Sequence, residues 1–291
     1  MNRDPRGDAR DDRGGARERR GYRGQTREGA ANPLKNSKDE KYVFIAGWRL
    51  AREETIAGVR PVQIAFEMGL IKRLVVPRDE RRSELLHIIE SAPSDCVRRA
   101  ERWDFDDADA CDGHQHCIGE IAPLPNPSLS EVVPESDASI VILLDGITDP
   151  RNAGAIARSA AAVGARAIAL PSHNSARLGP AFYKASAGMA LKLPLCRGGN
   201  LSQALDELAR LDFWSVAASA VYEGAADALT FEFPKRCALV LGGEGQGIRE
   251  KLEKKCDYRV FIPMNEGVES LNVSVAAGIL AYLWRVSAAK P

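Results

Sequence analysis

The sequence predicts an α/β protein whose parallel sheet is covered by helices on both faces, and three observations carry that expectation. Across 138–291, short apolar strands alternate with helix-length segments, the rhythm of a parallel sheet built from crossover connections. A stretch at 123–137 carrying Pro123, Pro125, Pro127 and Pro134 reads as a linker, setting this half apart from a smaller α/β unit at 39–122. Residues 1–38 are rich in Arg, Gly and Asp and too poor in large apolar side chains to bury a core.

Order is expected to begin near Tyr42, in the apolar run Tyr42-Val43-Phe44-Ile45-Ala46-Gly47. Arg60 to Leu70 reads as a helix and Ile71 to Val76 as a strand closed by Pro77. Arg82 to Ser91 reads as a second helix, striped by Leu85, Leu86, Ile88 and Ile89, and Cys117 to Ile121 as a last strand. Beyond the linker, strands are expected at Ile140–Leu144, Arg166–Leu170, Phe213–Ala218, Cys237–Leu241 and Arg259–Ile262. Helices are expected at Ala153–Val163, Leu201–Leu211, Ile248–Lys255 and Ser270–Val286.

The 291 residues are 45% hydrophobic and 27% charged, a composition with enough apolar surface for a true core. Net charge is zero, but residues 1–38 hold nine Arg and two Lys against four Asp and two Glu, a net +5, which leaves −5 on the rest. A basic arm on a mildly acidic body fits a polyanion-binding tail as well as a solvated leader. The six Cys are scattered, no run of apolar residues is long enough to span a bilayer, and the N-terminus lacks the apolar core of a secretory signal. These features predict a cytoplasmic protein with reduced thiols.

In a parallel sheet, ligands bind beyond the carboxyl ends of the strands, so the chemistry is sought in the segments that follow strands. The first, DGITDPRNAGAIARSAAAVGA, leads from Ile140–Leu144 into a small-residue helix bearing Asn152 near its start, where its side-chain oxygen can cap free amides, and Arg158 farther along. The second, GGEGQGI, follows Cys237–Leu241 and lets backbone approach a ligand closely, with Glu244 its sole charge. It matches neither a dinucleotide-binding fingerprint nor a P-loop. The third, IPMNEGVESLNVSVAAGIL, follows Arg259–Ile262. It places Ser270, a good N-cap, with Asn272 and Ser274 beside the free amides of a helix start. Taken alone, each segment also fits a plain structural role: an Ala-rich packing helix, a tight turn, a capped core helix.

Together the three resemble the SpoU/TrmH branch of the SPOUT RNA methyltransferases. NAGAIARSAAAVG looks like that family's first motif, LVLGGEGQGI its second and IPMNEGVESLNVSVAAG its third; KASAGMALKLP between them also looks like family sequence. The resemblance spans 138–291. Residues 39–122, through YVFIAGWRLAREE, are similar to the ribosomal-protein-like RNA-binding domain often fused ahead of it. The resemblance implies a deep trefoil knot in the C-terminal domain and a homodimer whose active site draws on both subunits. It implies S-adenosyl-L-methionine as cofactor, held in the knot by Gly242, Ile262 and Leu271 with the backbone of Gly243 and Gly247. The substrate would be structured RNA, methylated on a ribose 2′-hydroxyl, with 23S-type rRNA expected and tRNA the alternative. Arg158 matches the residue proposed as base in related enzymes. Because a guanidinium stays protonated, stabilising the developing alkoxide and phosphate charge is the safer role. Asn152 would orient Arg158 or the ribose, and Glu244, Ser270 and Asn272 match positions that shape the site.

Other features carry less. Cys111, His114, His116 and Cys117 are too closely spaced to wrap one tetrahedral zinc, so no metal is expected. The surrounding GHQHCIGEI resembles, but departs from, a His-Gln-Gly segment of related proteins. Trp48, Trp103, Trp214 and Trp284 could stack on bases, but their scatter reads more as core residues. Two other classes compete with the methyltransferase. A non-catalytic RNA-binding factor of the same fold would have lost Asn152, Arg158 or the Gly-rich loop. A nucleotide-dependent α/β enzyme would carry a phosphate fingerprint.

Overall fold

The computed structural model describes residues 41–106, 113–135, 137–219 and 224–289. The basic stretch 1–38 and Cys111 lie outside the described residues. The first sheet unit opens with the hairpin β1 (Tyr42–Ile45) and β2 (Trp48–Ala51), turned at Ala46 and Gly47 with positive φ at both, as a two-residue hairpin turn requires. Then come β3 (Thr55–Ala57), α1 (Val59–Glu67), β4 (Ile71–Pro77), α2 (Ser83–Ser91), β5 (Val97–Ala100), α3 (Arg102–Asp106) and β6 (Ile118–Ile121). Their four-stranded sheet runs β3-β6-β4-β5, and only β4 and β5 pair in parallel.

The proline-rich segment carries a short helix, α4 (Leu129–Val132), and is tied down rather than free. Leu129 and Val133 are buried, Asn126 exchanges hydrogen bonds with the backbone of Arg197, and the Ser130 amide donates to Glu207. The two sheet units also touch directly. A β-carbon at Gly188 would stand 2.9 Å from Ile64 and Pro61, and Ile56, Val62 and Ile64 share one apolar cluster with Ile140 and Ile142. Lys38–Pro291 accordingly forms one compact unit.

The second sheet is built from β7 (Ser139–Asp145), α5 (Pro150–Val163), β8 (Ala167–Leu170), α6 (Pro180–Ala185), β9 (Leu195–Arg197), α7 (Leu201–Arg210), β10 (Trp214–Ala218), β11 (Ala226–Asp227), β12 (Arg236–Gly242), α8 (Glu250–Glu253), β13 (Tyr258–Phe261) and α9 (Val273–Ala288). Its order is β11-β13-β10-β12-β7-β8-β9 and every pairing is parallel. All seven residues of β7 are buried. Alternation divides its side chains: Ile140, Ile142 and Leu144 join the cluster that holds α5 and α9, while Val141 and Leu143 join the one that holds α7. From β7 the chain runs outward to β8 and β9, and later returns to place β12 on the other side. The carboxyl ends of β7 and β12 are therefore a topological switch point, where a crevice opens.

Three local expectations are corrected. Asp149, not Asn152, caps α5: its carboxylate accepts from the Arg151 amide, and Pro150 takes the first turn, where no donor is needed. Asn272, not Ser270, caps α9. The helix expected at Ile248–Lys255 is only the single turn α8.

Candidate active site

The switch point brings the three post-strand segments together. β7 ends at Asp145, paired with Gly242 at the end of β12. A β-carbon on Gly242 would stand 2.1 Å from the Gly247 carbonyl carbon, so only glycine lets the loop fold back on itself this tightly. The Gly247 amide closes the loop on the Gly243 carbonyl at 3.0 Å. The turn presents Glu244 outward, where its carboxylate oxygen accepts from Asn152 Nδ2 at 2.9 Å and from Asn272 Nδ2 at 3.1 Å. Asn272 Nδ2 also donates to Asn152 Oδ1 at 3.1 Å. While capping α9, Asn272 accepts from the Ser274 amide and hydroxyl through its own Oδ1. One side chain from each segment thus meets the other two, across 92 and 120 residues of chain.

Beside this triad lies a cavity of about 400 Å³ lined by Gly242, Gly243, Glu244, Gly247, Ile262, Ser270 and Leu271. Every residue expected to hold a cofactor is on that list. The sequence reading missed Ala218 and Ser219 at the end of β10, together with Met264 and Glu269. The first pair could have been found, since they too follow a strand. Among the lining residues are two carboxylates, Glu244 and Glu269, and no Lys or Arg, a character that suits an organic cation and not a phosphate.

Arg158 is not in this cluster. It lies on α5, exposed, with no hydrogen bond or ion pair to the described residues. Six residues beyond Asn152 is about 9 Å along a helix and about 120° around it, so the two side chains leave different faces. Asn152 is spent on Glu244 and Asn272 and does not touch Arg158.

The other candidates fall elsewhere. His114 and His116 pack around Phe105 in the first unit, and His114 Nδ1 accepts from the His116 amide. Among the described residues no group of three or more His, Cys, Asp or Glu is placed to hold a metal. Burial pushes the thiols of Cys117 and Cys256 up to about 12 and that of Cys237 higher still, so these are protonated and unreactive at neutral pH. Of the tryptophans, Trp284 is core and donates to the Pro234 carbonyl. Trp48 lies under Arg73 and Arg98, and Trp103 and Trp214 are exposed.

Comparison with known proteins agrees with this geometry. Residues 139–282 match the model of the SpoU rRNA Methylase family. The chain is 35% identical over 239 residues to a Salmonella typhimurium protein named 23S rRNA (guanosine-2'-O-)-methyltransferase RlmB, covering 79% of this chain and 96% of that one. A protein of the same name from Acinetobacter baylyi is 30% identical over 240 residues, covering 80% and 97%. Among solved structures, the SpoU methyltransferase AviRb from Streptomyces viridochromogenes, in complex with AdoMet, superposes with a TM-score of 0.69 at 23% identity, covering 80% of this chain and 89% of that one. No helix among the described residues is long and apolar enough to cross a membrane. The triad of loops, the cavity and these relatives lead to one assignment: the chain belongs to the SpoU family of RNA 2′-O-ribose methyltransferases.

Proposed function

We propose that the cavity binds S-adenosylmethionine and that the protein methylates a ribose 2′-hydroxyl in 23S-type rRNA, on a guanosine as in the named relatives. The observation that carries this reading is the meeting of Asn152, Glu244 and Asn272 at a glycine-walled cavity. The cavity is of small-molecule size, and its two carboxylates suit a molecule bearing a sulfonium and an ammonium. When bound, that cofactor supplies an electrophilic methyl group. What remains for the protein is alignment of the sugar oxygen and care of its proton. Gly242, Gly243 and Gly247 offer backbone groups to the cofactor, with Ile262 and Leu271 as apolar walls. Ser270, Asn152 and Asn272 face the ribose with hydroxyl and amide groups. Glu244 fixes both amides in place.

Arg158 acts in this reading on the pocket of a second copy of the chain, holding the phosphate and the developing alkoxide through its guanidinium. Two observations support a homodimer. Arg158 is exposed and unengaged on its own subunit. Helix α9 leaves Val275, Tyr282 and Val286 exposed, apolar residues at helical spacing along one face. The C-terminal trefoil knot belongs to the same proposal: the loops after β12 and β13 line one cavity, as a segment threaded past the Gly-rich turn would. The unit at 39–122 is the RNA-docking part, with exposed Trp103 as a stacking surface.

The test is transfer from labelled S-adenosylmethionine to rRNA and tRNA, with mapping of the modified ribose. Label on 23S rRNA at one guanosine 2′-oxygen is expected; label confined to tRNA, or on a base, overturns the substrate assignment. Mixing Arg158→Ala protein with Gly242→Val protein tests the shared site. If Arg158 serves the partner's pocket, mixed dimers regain activity that neither variant has alone.

A further inference from the structure

We propose that Asp145 and Arg249 form a positioning clamp that fixes the Gly-rich loop in place as a wall of the cofactor cavity. This rests on the assignment of the cavity to S-adenosylmethionine. Asp145 is the last residue of β7 and is 1% exposed, a carboxylate buried where β7 and β12 end side by side. It grips both ends of the Gly243–Arg249 turn. Its backbone carbonyl accepts from the Gly243 amide at 2.8 Å. Its carboxylate accepts from the Arg249 amide at 2.8 Å, from Arg249 Nε at 2.8 Å and from Arg249 Nη2 at 2.7 Å.

A buried carboxylate needs such a set of donors, and the two-pronged guanidinium supplies them in a fixed direction. The turn between the two anchor points is short, and its tip carries Glu244 into the triad with Asn152 and Asn272. A β-carbon at Gly243 would stand 2.2 Å from the Gly146 carbonyl oxygen, so the loop is pressed against the segment that follows Asp145. Freed from Asp145, the Arg249 end of the loop keeps the neighbouring contacts of α8 but loses its fixed distance from β7. The wall formed by Gly242, Gly243 and Gly247 then shifts with it. Neither Asp145 nor Arg249 lines the cavity, so their effect is carried through the loop.

The experiment uses the full-length protein, with calorimetric titration of S-adenosylmethionine, thermal melting and steady-state methylation. Arg249→Met is expected to raise the cofactor Kd and KM about tenfold while kcat at saturating cofactor stays within about twofold, as displacement of a binding wall should. Arg249→Lys, which keeps one donor, is expected to fall between, at about threefold. A lowered melting temperature with unchanged cofactor Kd overturns the clamp and leaves a purely structural ion pair. If Arg249→Met does not fold, Arg249→Lys decides, and an unchanged Kd in that variant overturns the proposal. Leu271→Arg, which fills the cavity, keeps the two readings apart. If it binds cofactor normally, the cavity assignment fails; if it loses the cofactor while Arg249→Met does not, the clamp alone fails.

Discussion

Two polar clusters in this chain look alike and do different things. At the switch point, Glu244 joins two loops through Asn152 and Asn272, and a cavity of about 400 Å³ opens beside it. In the first unit, Glu80 accepts from the amides of Arg81 and Arg82 and from the Arg82 guanidinium, while Arg82 donates to the Gln115 carbonyl. This second cluster borders a cavity of about 540 Å³, lined by Asp79, Glu80, Arg81, Arg82, Arg102, Gln115 and His116. Volume does not separate them. The carboxylates of the Arg-lined cavity are consumed by its own cations, Glu80 by Arg82 and Asp79 by Arg102. The switch-point cavity is walled by glycine backbone and apolar side chains; Glu244 accepts from two side-chain amides, and no Lys or Arg lines the cavity beside it or Glu269. Carboxylates already spent on neighbouring guanidiniums hold a fold together; carboxylates with no cation beside them, next to open backbone in a cavity, can hold a cationic ligand.

That contrast can be broken at several points. The largest expected effect is at Arg158: replacement by alanine should lower methyl transfer by about a thousandfold, with cofactor Kd unchanged. Retained activity would remove Arg158 from the site. Next is Gly242→Ala, whose new β-carbon meets the Gly247 backbone; titration should show cofactor affinity down by about a hundredfold. In the first unit, Trp103→Ala should weaken rRNA binding about tenfold in a filter-binding assay without touching cofactor affinity. A matched loss of both would show that Trp103 acts through folding.

The smallest effect on chemistry and the clearest on stability belongs to Glu80→Gln. Burial raises the Glu80 carboxyl, but the Arg82 guanidinium and the local backbone amides outweigh it and hold the group below its ordinary value of 4.5. A depressed folded-state value means that the stabilisation is present above 4.5 and is lost as pH falls through the lower value. The variant should be less stable at pH 7 by about 1–3 kcal/mol in denaturant unfolding, the low end being favoured because Arg82 is partly solvated, and the gap to the parent should close in acid. Cofactor affinity should not move. A variant that lost cofactor instead would erase the distinction between the clusters.

Much of the catalytic half was legible in sequence because its central strands β7 and β8 are fully buried and β12 is buried along its middle, so they read as apolar runs, as in Ile140 to Leu144. The Gly-rich turn and the Asn-bearing helix starts stood out because glycine and capping residues have local conformational causes. Short elements escaped. β9 and β11 have three and two residues, and α6 and α3 six and five, too few for a period to register. The caps of α5 and α9 were misplaced by a few residues because Asp149 and Asn152, or Ser270 and Asn272, are all competent capping residues. At α5 the triad occupies Asn152 and leaves the cap to Asp149; at α9 Asn272 caps through Oδ1 and joins the triad through Nδ2.

By itself, the sequence determined the parallel α/β architecture of 138–291 and the segments that follow its strands, since periodicity, glycine and capping chemistry act over a few neighbouring residues; the family came from the likeness of those segments to known motifs. Tertiary structure alone decided that Asn152, Glu244 and Asn272 share one hydrogen-bonded triad, that Arg158 stands apart from it, and that Asp145 grips Arg249 across 104 residues. Such pairings depend on strand order, and strand order is set by which apolar faces can be buried together, a property of the whole chain.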